Sequence, residues 1–167
     1  MGLDMYLTKK TYIGAEYEHR DVKGTIDITI KGEPVKINFN RLQSIEEKVA
    51  YWRKANQIHN WFVENVQDGE DDCKEYDVSR DKLVALLADV NTVLGARTTH
   101  TPEGLEAVVE KVLPPSDGCF FGSTEIDEWY WQDLEYTKET LTNLIEELTL
   151  DNLNPAMWTS IHYQSSW

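Results

Sequence analysis

The fold prediction depends most on residues 44–66, which read SIEEKVAYWRKANQIHNWFVENV. Ser44 followed by Glu47 is a capping box, and this pair predicts a helix that begins at about Ile45. At about 100° per residue, the apolar side chains of the stretch share one broad stripe, which contains Ile45, Val49, Trp52, Ala55, Phe62, Val63 and Val66. The pattern therefore predicts one continuous helix over residues 45–66, ended by the loop QDGEDD.

Alternating apolar and polar residues predict strands on both sides of this helix. Residues 3–12 alternate in this way, and residues 24–39, GTIDITIKGEPVKINF, form two alternating runs joined by a KGEP turn. This is the pattern of a β-hairpin. The segment GCFFGST at residues 118–124 predicts a short buried strand, and MWTSIHYQSSW at residues 157–167 predicts a closing strand.

Capping signals predict two more helices after the first. Ser79 is an N-cap residue ahead of a helix over residues 80–94, and Gly95 ends that helix. Thr101 and the proline after it begin a shorter helix that runs to residue 112. A fourth helix, over residues 125–148, follows the GCFFGST segment.

The chain has 167 residues, of which 41% are hydrophobic, and this is enough apolar material for one packed core. The elements above predict a single α+β domain over residues 1–167, in which about four helices pack on a mostly antiparallel sheet. No apolar run is long enough to span a bilayer, and no secretory leader pattern is present. Cys73 and Cys119 form no disulfide framework, so we expect a reducing cytoplasm.

The charge is uneven along the chain, whose net charge is −14. Residues 1–60 hold 10 basic against 8 acidic residues, whereas residues 61–167 hold 6 against 22. Such a charge distribution repels nucleic acid and anionic lipid, and it attracts cations or basic protein surfaces. High solubility is the simplest alternative explanation.

Several polar and aromatic side chains lie on or beside the apolar stripe of the first predicted helix. His59 lies near its middle, Asn56 lies beside it, and Trp52 belongs to it. The leading interpretation for His59 is a core histidine bonded to a carbonyl or hydroxyl, and a lined pocket is the second. Trp61 falls on the polar face, where either another element covers it or it belongs to a binding site.

Catalytic and metal-binding motifs are absent from the sequence. No Walker loop, dinucleotide-binding glycine turn or GxSxG elbow occurs, and no pair of His or Cys residues has the spacing of zinc ligands. His59 and Cys73 form a conceivable nucleophile pair, but the acidic neighbours of Cys73 disfavour a thiolate. We therefore expect no catalytic residue, metal or cofactor.

The start of the fourth predicted helix offers a candidate ligand site. Gly122, Ser123 and Thr124 precede the helix and leave free backbone N–H groups that favour an anion. Helix capping by Ser123 or Thr124 explains the same residues without a ligand. Tyr130 falls on the inward stripe of this helix and Trp129 falls outside it. If a ligand binds here, the candidate contacts are Trp52, Asn56, His59, Gly122, Ser123, Thr124 and Tyr130.

An acidic row on the same helix offers a second candidate surface. Glu128, Glu135, Glu139 and Glu146 lie within about 40° of one another and span about 27 Å at about 1.5 Å per residue. This row resembles a run of phosphates, which a basic nucleic-acid-binding protein recognises. Trp61 and Trp129 are candidate aromatic contacts for the same partner. A solvated helix face is the more usual explanation of such a row.

Several blocks of the sequence resemble a family of small phage and prophage proteins that has no assigned activity. These blocks are MGLDMYL, YWRKANQIHNWFVENVQDG, DDCKEYDVS, FFGST, DEWY and YQSSW. The resemblance implies expression in the cytoplasm of an infected bacterium and a fold that is not borrowed from a known enzyme. It supplies no catalytic residue.

Three functions remain as hypotheses. The first is a non-enzymatic phage accessory protein, acting in counter-defence or host takeover, whose acidic face binds a basic host protein that itself binds nucleic acid. In that hypothesis we expect no direct contact with nucleic acid or membrane. The alternative is a protein that binds or sequesters a small nucleotide-like ligand. An enzyme that uses His59 and Cys73 is the least favoured.

Overall fold

The computed structural model describes residues 2–15, 24–118, 120–151 and 158–167. The strands are β1 (Asp4–Tyr12), β2 (Ile28–Ile30), β3 (Glu33–Val35), β4 (Ser44–Arg53), β5 (Tyr76–Asp77) and β6 (Trp158–Ser166). The helices are α1 (Asn56–Val66), α2 (Arg80–Thr99), α3 (Pro102–Val112) and α4 (Glu128–Asp151).

A four-stranded antiparallel sheet organises the fold, in the strand order β4-β1-β6-β5. β1 pairs along its length with β4 on one side and β6 on the other, so that Met5 lies between Trp52 and Ser165. Strands β2 and β3 form a separate two-stranded sheet. The predicted α+β class with a mostly antiparallel sheet is confirmed.

The core lies against one face of the main sheet. Met5 and Leu7 of β1 are fully buried, whereas Tyr6 and Thr8 lie partly exposed on the opposite face, as the two-residue period of a strand requires. Helices α2 and α4 contact each other. They contribute to the core the side chains Leu83, Leu86, Val90, Val93, Leu134, Leu141 and Leu144.

The prediction of one helix over residues 45–66 is wrong, because the first half of that stretch is strand β4. Ala50 and Trp52 are buried while Tyr51 is exposed, which is the alternation of a strand. The register with β1 shifts at Val49, which has no partner on β1. This bulge breaks the period of two, so the apolar residues of the strand imitate the spacing of a helix. The stabilising ladder to β1 is a long-range interaction that local spacing does not show.

Helix α1 begins only after a sharp corner of the backbone. Lys54 adopts a positive φ of 63° at this corner, and its N–H donates to the carbonyl of Leu3 at 2.8 Å. The chain therefore turns from the edge of the sheet directly into α1. This corner forms one side of the candidate site described below.

The predicted caps of the next two helices are confirmed. The Ser79 hydroxyl accepts a hydrogen bond from the Lys82 N–H at 3.3 Å, at the start of α2. The Thr101 hydroxyl accepts one from the Gly104 N–H, also at 3.3 Å, at the start of α3. Local capping chemistry is therefore sufficient to place both helix starts.

The predicted end of α2 at Gly95 is wrong, because the helix continues to Thr99. Ala96 is buried, and the Arg97 guanidinium lies 4.7 Å from the centre of the Trp131 ring on α4. These contacts outweigh the roughly 1 kcal/mol that a glycine costs inside a helix.

The predicted start of α4 is also wrong. The helix begins at Glu128, and its cap is Asp127 rather than Ser123 or Thr124. In the described part of the GCFFGST segment the backbone forms no strand, and Phe120 is 52% exposed while Phe121 is buried. Carbonyl groups of this loop instead accept hydrogen bonds from Leu3 and from the side chain of Asn56.

The predicted hairpin and the predicted closing strand are both present. The hairpin is shorter than its sequence pattern, since only residues 28–30 and 33–35 pair, whereas β6 pairs with β1 over nine positions.

Among the described helices, none combines the length and the apolar character needed to cross a bilayer.

Candidate functional site

A cleft of about 460 Å³ lies where the β4–α1 corner meets the start of α4. Its volume is in the usual range for small-molecule sites. The corner, the loop after Phe121 and the first turns of α4 each contribute side chains. The lining consists of Arg53, Lys54, Gln57, Gly122, Ser123, Glu125, Asp127, Trp129, Tyr130 and Asp133.

Close backbone contact holds the loop against the corner. Gly122 has a positive φ of 98°, and a Cβ built on it would lie 3.1 Å from the Cβ of Lys54. A larger residue at position 122 would therefore be strained in its backbone and crowded by its neighbour. The glycine permits the loop to form the floor of the cleft.

Asn56 clamps the same loop from the start of α1. Its Nδ2 donates to the carbonyl of Ser123 at 2.8 Å and to that of Phe121 at 3.3 Å. Its Oδ1 accepts from the Ser116 N–H at 2.9 Å. The side chain is 2% exposed, so Asn56 positions the cleft and does not line it.

The N-terminus of α4 has its own internal cap. Asp127 Oδ1 accepts from the N–H groups of Trp129 and Tyr130, at 2.9 and 3.1 Å, and the Ser123 hydroxyl accepts from the Glu125 N–H at 3.0 Å. These bonds occupy the N–H groups of Glu125, Trp129 and Tyr130, which lie after the three residues that the sequence suggested for an anion. Ser123 and Gly122 line the cleft, whereas Thr124 is outside its lining.

Asp133 is a partly buried carboxylate that lines the cleft. Gln57, which is 3% exposed, directs its Nε2 at Asp133 Oδ2 over 3.4 Å. Burial raises the pKa of Asp133 to about 6; the bond from Gln57 lowers it, and the nearby charge of Asp127 raises it. A carboxylate with a raised pKa in a cleft is typical of functional sites.

Two aromatic residues of α4 differ sharply in exposure. Trp129 is 73% exposed at the rim of the cleft. Tyr130 is buried, and its hydroxyl donates to the carbonyl of Leu113 at 2.9 Å; burial raises the pKa of this hydroxyl. Tyr130 therefore fixes α4 to the end of α3, and Trp129 is the side chain available for a ligand.

Arg53 and Lys54 supply positive charge on the opposite side of the cleft. Both side chains are exposed, and neither forms an ion pair with an acidic group of the described residues. The cleft therefore combines two cations that form no ion pair within the described part of the chain with the carboxylates of α4 and of the loop before it.

The other candidate ligand contacts lie in the core. Trp52 is 2% exposed, and its Nε1 donates to the Thr137 hydroxyl at 2.8 Å. His59 is 1% exposed; its Nδ1 lies 2.8 Å from the Tyr163 hydroxyl and its Nε2 lies 3.0 Å from Asp71 Oδ2. Neither residue lines the cleft.

The contacts of His59 also argue against a nucleophile pair of His59 and Cys73. Both ring nitrogens are engaged by oxygen atoms, so neither is left to accept a proton from Cys73. Burial raises the pKa of Tyr163 well above its usual value, so its hydroxyl stays protonated and donates to Nδ1. Nε2–H then donates to Asp71, which is the arrangement of a satisfied core histidine. Cys119 lies outside the described residues.

The structure separates the residues of the second candidate surface, which combined the acidic row of α4 with two tryptophans. Trp61 is buried under α2, and its Nε1 donates to Asp89 Oδ2 at 2.8 Å. The four glutamates of α4 are exposed, but Arg97 pairs with two of them, Glu128 at 3.7 Å and Glu135 at 3.4 Å. Arg97 and Glu135 also line a larger groove of about 650 Å³ between α2 and α4, where their opposite charges neutralise each other.

Sequence reasoning missed the residues that give the cleft its chemistry. Arg53, Lys54 and Gln57 lie at the end of β4 and the start of α1, where the sequence predicted the middle of one helix. Asp133 carried one usable signal, because it lies one helical turn after the exposed Trp129. The cleft itself requires the β4–α1 corner, so the error in that element hid the site.

Metal chemistry and known relatives give no further guide to the cleft. Within residues 2–15, 24–118, 120–151 and 158–167, no three His, Cys, Asp or Glu side chains form a group suited to a metal ion. Comparison with known proteins finds no protein family, no curated protein and no solved structure that matches this chain.

Proposed function

We propose that this protein binds a small nucleotide-like ligand in the cleft between the β4–α1 corner and α4. The observation that carries the proposal is the composition of that cleft. Two cations without an ion-pair partner among the described residues, an exposed tryptophan and a half-buried carboxylate line one cavity of about 460 Å³. Each of these groups matches one part of a nucleotide.

The match follows from ordinary recognition chemistry. Arg53 and Lys54 suit a phosphate, because arginine forms two parallel bonds to it and lysine supplies a point charge. Trp129 suits a flat base, since base–aromatic stacking contributes about 1–3 kcal/mol. Asp133 is an acceptor for N–H groups at the edge of that base.

Isothermal titration calorimetry of the full chain against a panel of nucleoside monophosphates tests the proposal. We expect binding that Trp129→Ala weakens by about tenfold or more. Trp158→Ala is the matched control, because Trp158 is 72% exposed but lies outside the cleft. Equal loss of binding in both variants, or no binding of any nucleotide by the wild type, contradicts the proposal.

A second pair of variants tests the cationic side of the cleft. Replacing Arg53 and Lys54 together by alanine removes both phosphate contacts and should reduce affinity by at least tenfold at low salt. Lys82→Ala removes an exposed cation from α2 and should leave affinity unchanged. The same affinity in the double variant and in wild type counts against a phosphate at this position.

A second candidate function is supported by the exposed glutamates of α4. Glu139 and Glu146 form no ion pair with the described basic residues, and the net charge of −14 favours a basic partner. In this proposal the protein is a phage accessory factor that inhibits a basic host protein. Reversal of the four glutamates to lysine should abolish capture of that partner, whereas Trp158→Ala should not.

A further inference from the structure

The relative positions of Trp129 and Asp133 in the cleft favour one class of base. Trp129 and Asp133 are four residues apart on α4, so they project from the same side of the helix, one turn apart. A base that stacks on Trp129 therefore presents its edge to Asp133.

Asp133 is fixed in a state that accepts hydrogen bonds. Gln57 donates to Oδ2, while Oδ1 accepts no bond from any described residue and remains available to a ligand. Since its pKa is about 6, the group is mostly ionised at pH 7.5. An ionised carboxylate offers only acceptors, and a ligand atom that is also an acceptor would be repelled by it.

We infer, resting on the proposed nucleotide site, that the cleft selects guanine among the common bases and that Asp133 is the specificity-determining residue. Guanine carries two adjacent donors on one edge, its ring N1–H and its exocyclic amino group, and these match the acceptors of a carboxylate. Adenine and cytosine place a ring-nitrogen acceptor beside their amino group. Uracil places carbonyl oxygens on both sides of its single N–H. Each of these three bases therefore sets an acceptor against Asp133.

The experiment compares nucleotides that differ only at this edge. Calorimetry at pH 7.5 on the full chain uses GMP, IMP, XMP, AMP and UMP. GMP should bind about tenfold to a hundredfold tighter than AMP or UMP, which is the discrimination expected of a good bidentate contact. IMP, which lacks the exocyclic amino group, should fall between GMP and AMP.

Asp133→Asn gives a result that a merely structural role would not produce. The amide keeps one acceptor and gains one donor, so it matches the N1–H and the C2 carbonyl of xanthine instead of the two donors of guanine. We expect the affinity for GMP to fall about tenfold and the affinity for XMP to rise relative to it. The variant should therefore bind XMP more tightly than GMP, which is the reverse of the wild type. A melting curve of the variant confirms that it is folded.

The outcomes separate the two claims. If AMP or UMP binds as tightly as GMP, guanine selection is overturned while the nucleotide site stands. An unchanged order of bases in folded Asp133→Asn overturns the assignment of Asp133. If no nucleotide binds the wild type, both the site and its specificity are overturned. Cyclic di-GMP is a further arm: tighter binding than GMP identifies a two-base ligand, and weaker binding identifies the mononucleotide.

Discussion

Asn56 is a single residue whose hydrogen bonds hold the candidate site together. Its amide makes three bonds, to Phe121, Ser123 and Ser116, from a side chain that is almost fully buried. Buried donors and acceptors that lose their partner cost about 1–3 kcal/mol. The stability of the molecule and the shape of the cleft therefore both depend on this residue.

We expect Asn56→Ala to lower the free energy of unfolding by about 2–4 kcal/mol, because three bonds are lost and the buried carbonyl of Phe121 loses this donor. Urea denaturation with an unchanged m-value measures the effect. Asn65→Ala is the control: Asn65 donates once, to the carbonyl of Trp61 at 2.9 Å, and we expect a loss of about 1 kcal/mol or less. Equal losses of stability in the two variants would contradict the role of Asn56 in holding the loop.

Asp133 gives a prediction about pH and stability. Its pKa is raised to about 6 in the folded state from 3.8, so the folded protein binds this proton more tightly than the unfolded chain does. Stability linked to Asp133 is therefore greatest below pH 3.8 and falls as pH rises through about 6. Because the group is only partly buried, solvent screens the effect, and we expect about 1 kcal/mol.

Asp133→Asn should consequently be more stable than wild type at pH 7.5, by about 1 kcal/mol or 2–4 °C in melting temperature. The difference between the two proteins should shrink toward zero at pH 4. Differential scanning calorimetry at both pH values measures it. A difference that is independent of pH would assign the effect to packing instead of to the charge.

At the scale of a secondary-structure element, α2 shows how tertiary contacts decide where a helix ends. Gly95 lies inside the helix, is exposed, and has no atom within 4 Å of the position of an added Cβ. Gly32 is its counterpart, since it has equally open surroundings but a φ of 85° in the turn between β2 and β3.

Gly95→Ala should therefore stabilise the protein by about 0.5–1 kcal/mol, because alanine restricts the unfolded chain and favours a helix. Gly32→Ala should destabilise it by about 1 kcal/mol, since the left-handed backbone there disfavours a Cβ. Thermal unfolding of both variants measures the contrast. If Gly95→Ala is the destabilising change, the helix ends where the local sequence suggested.

At the scale of the whole molecule, His59 connects elements that are far apart in the chain. It lies in α1 and contacts Tyr163 of β6 and Asp71 of the loop after α1, and Asp71 in turn accepts from the Trp167 indole at 3.2 Å. The Tyr163 ring stacks on Phe62 with centres 3.9 Å apart. One side of the sheet is thus held to α1 by a chain of polar contacts inside an aromatic cluster.

Tyr163→Phe should cost about 1–3 kcal/mol, because it keeps the stacked ring but leaves the buried Nδ1 of His59 without a donor. Chemical denaturation measures the loss. Tyr6→Phe is the control: it lies on the partly exposed face of β1, and we expect a change within about 0.5 kcal/mol. Equal small effects in both variants would show that the hydroxyl of Tyr163 contributes nothing to stability.

Several features of this protein follow from local sequence. The alternation of residues 3–12 predicts a strand, Ser79 and Thr101 predict helix starts, and the turn after Ile30 predicts a hairpin. These predictions succeed because hydrophobic period, capping and turn chemistry act over only a few residues. The same reasoning placed Tyr130 inside and Trp129 outside. The interpretation of His59 as a bonded core histidine is confirmed.

Prediction from local sequence failed where contacts between two distant segments decide the structure. The spacing of Val49 and Trp52 fits a helix, and only the bulged ladder with β1 makes that stretch a strand. Arg53 and Asp133 acquire their proposed role only when the corner after β4 meets α4 across the loop at Gly122. The sequence by itself determined the fold class, the first strand and the starts of α2 and α3. Only the tertiary structure decided the site, because a cleft is made by groups far apart in the chain whose approach depends on long-range pairing.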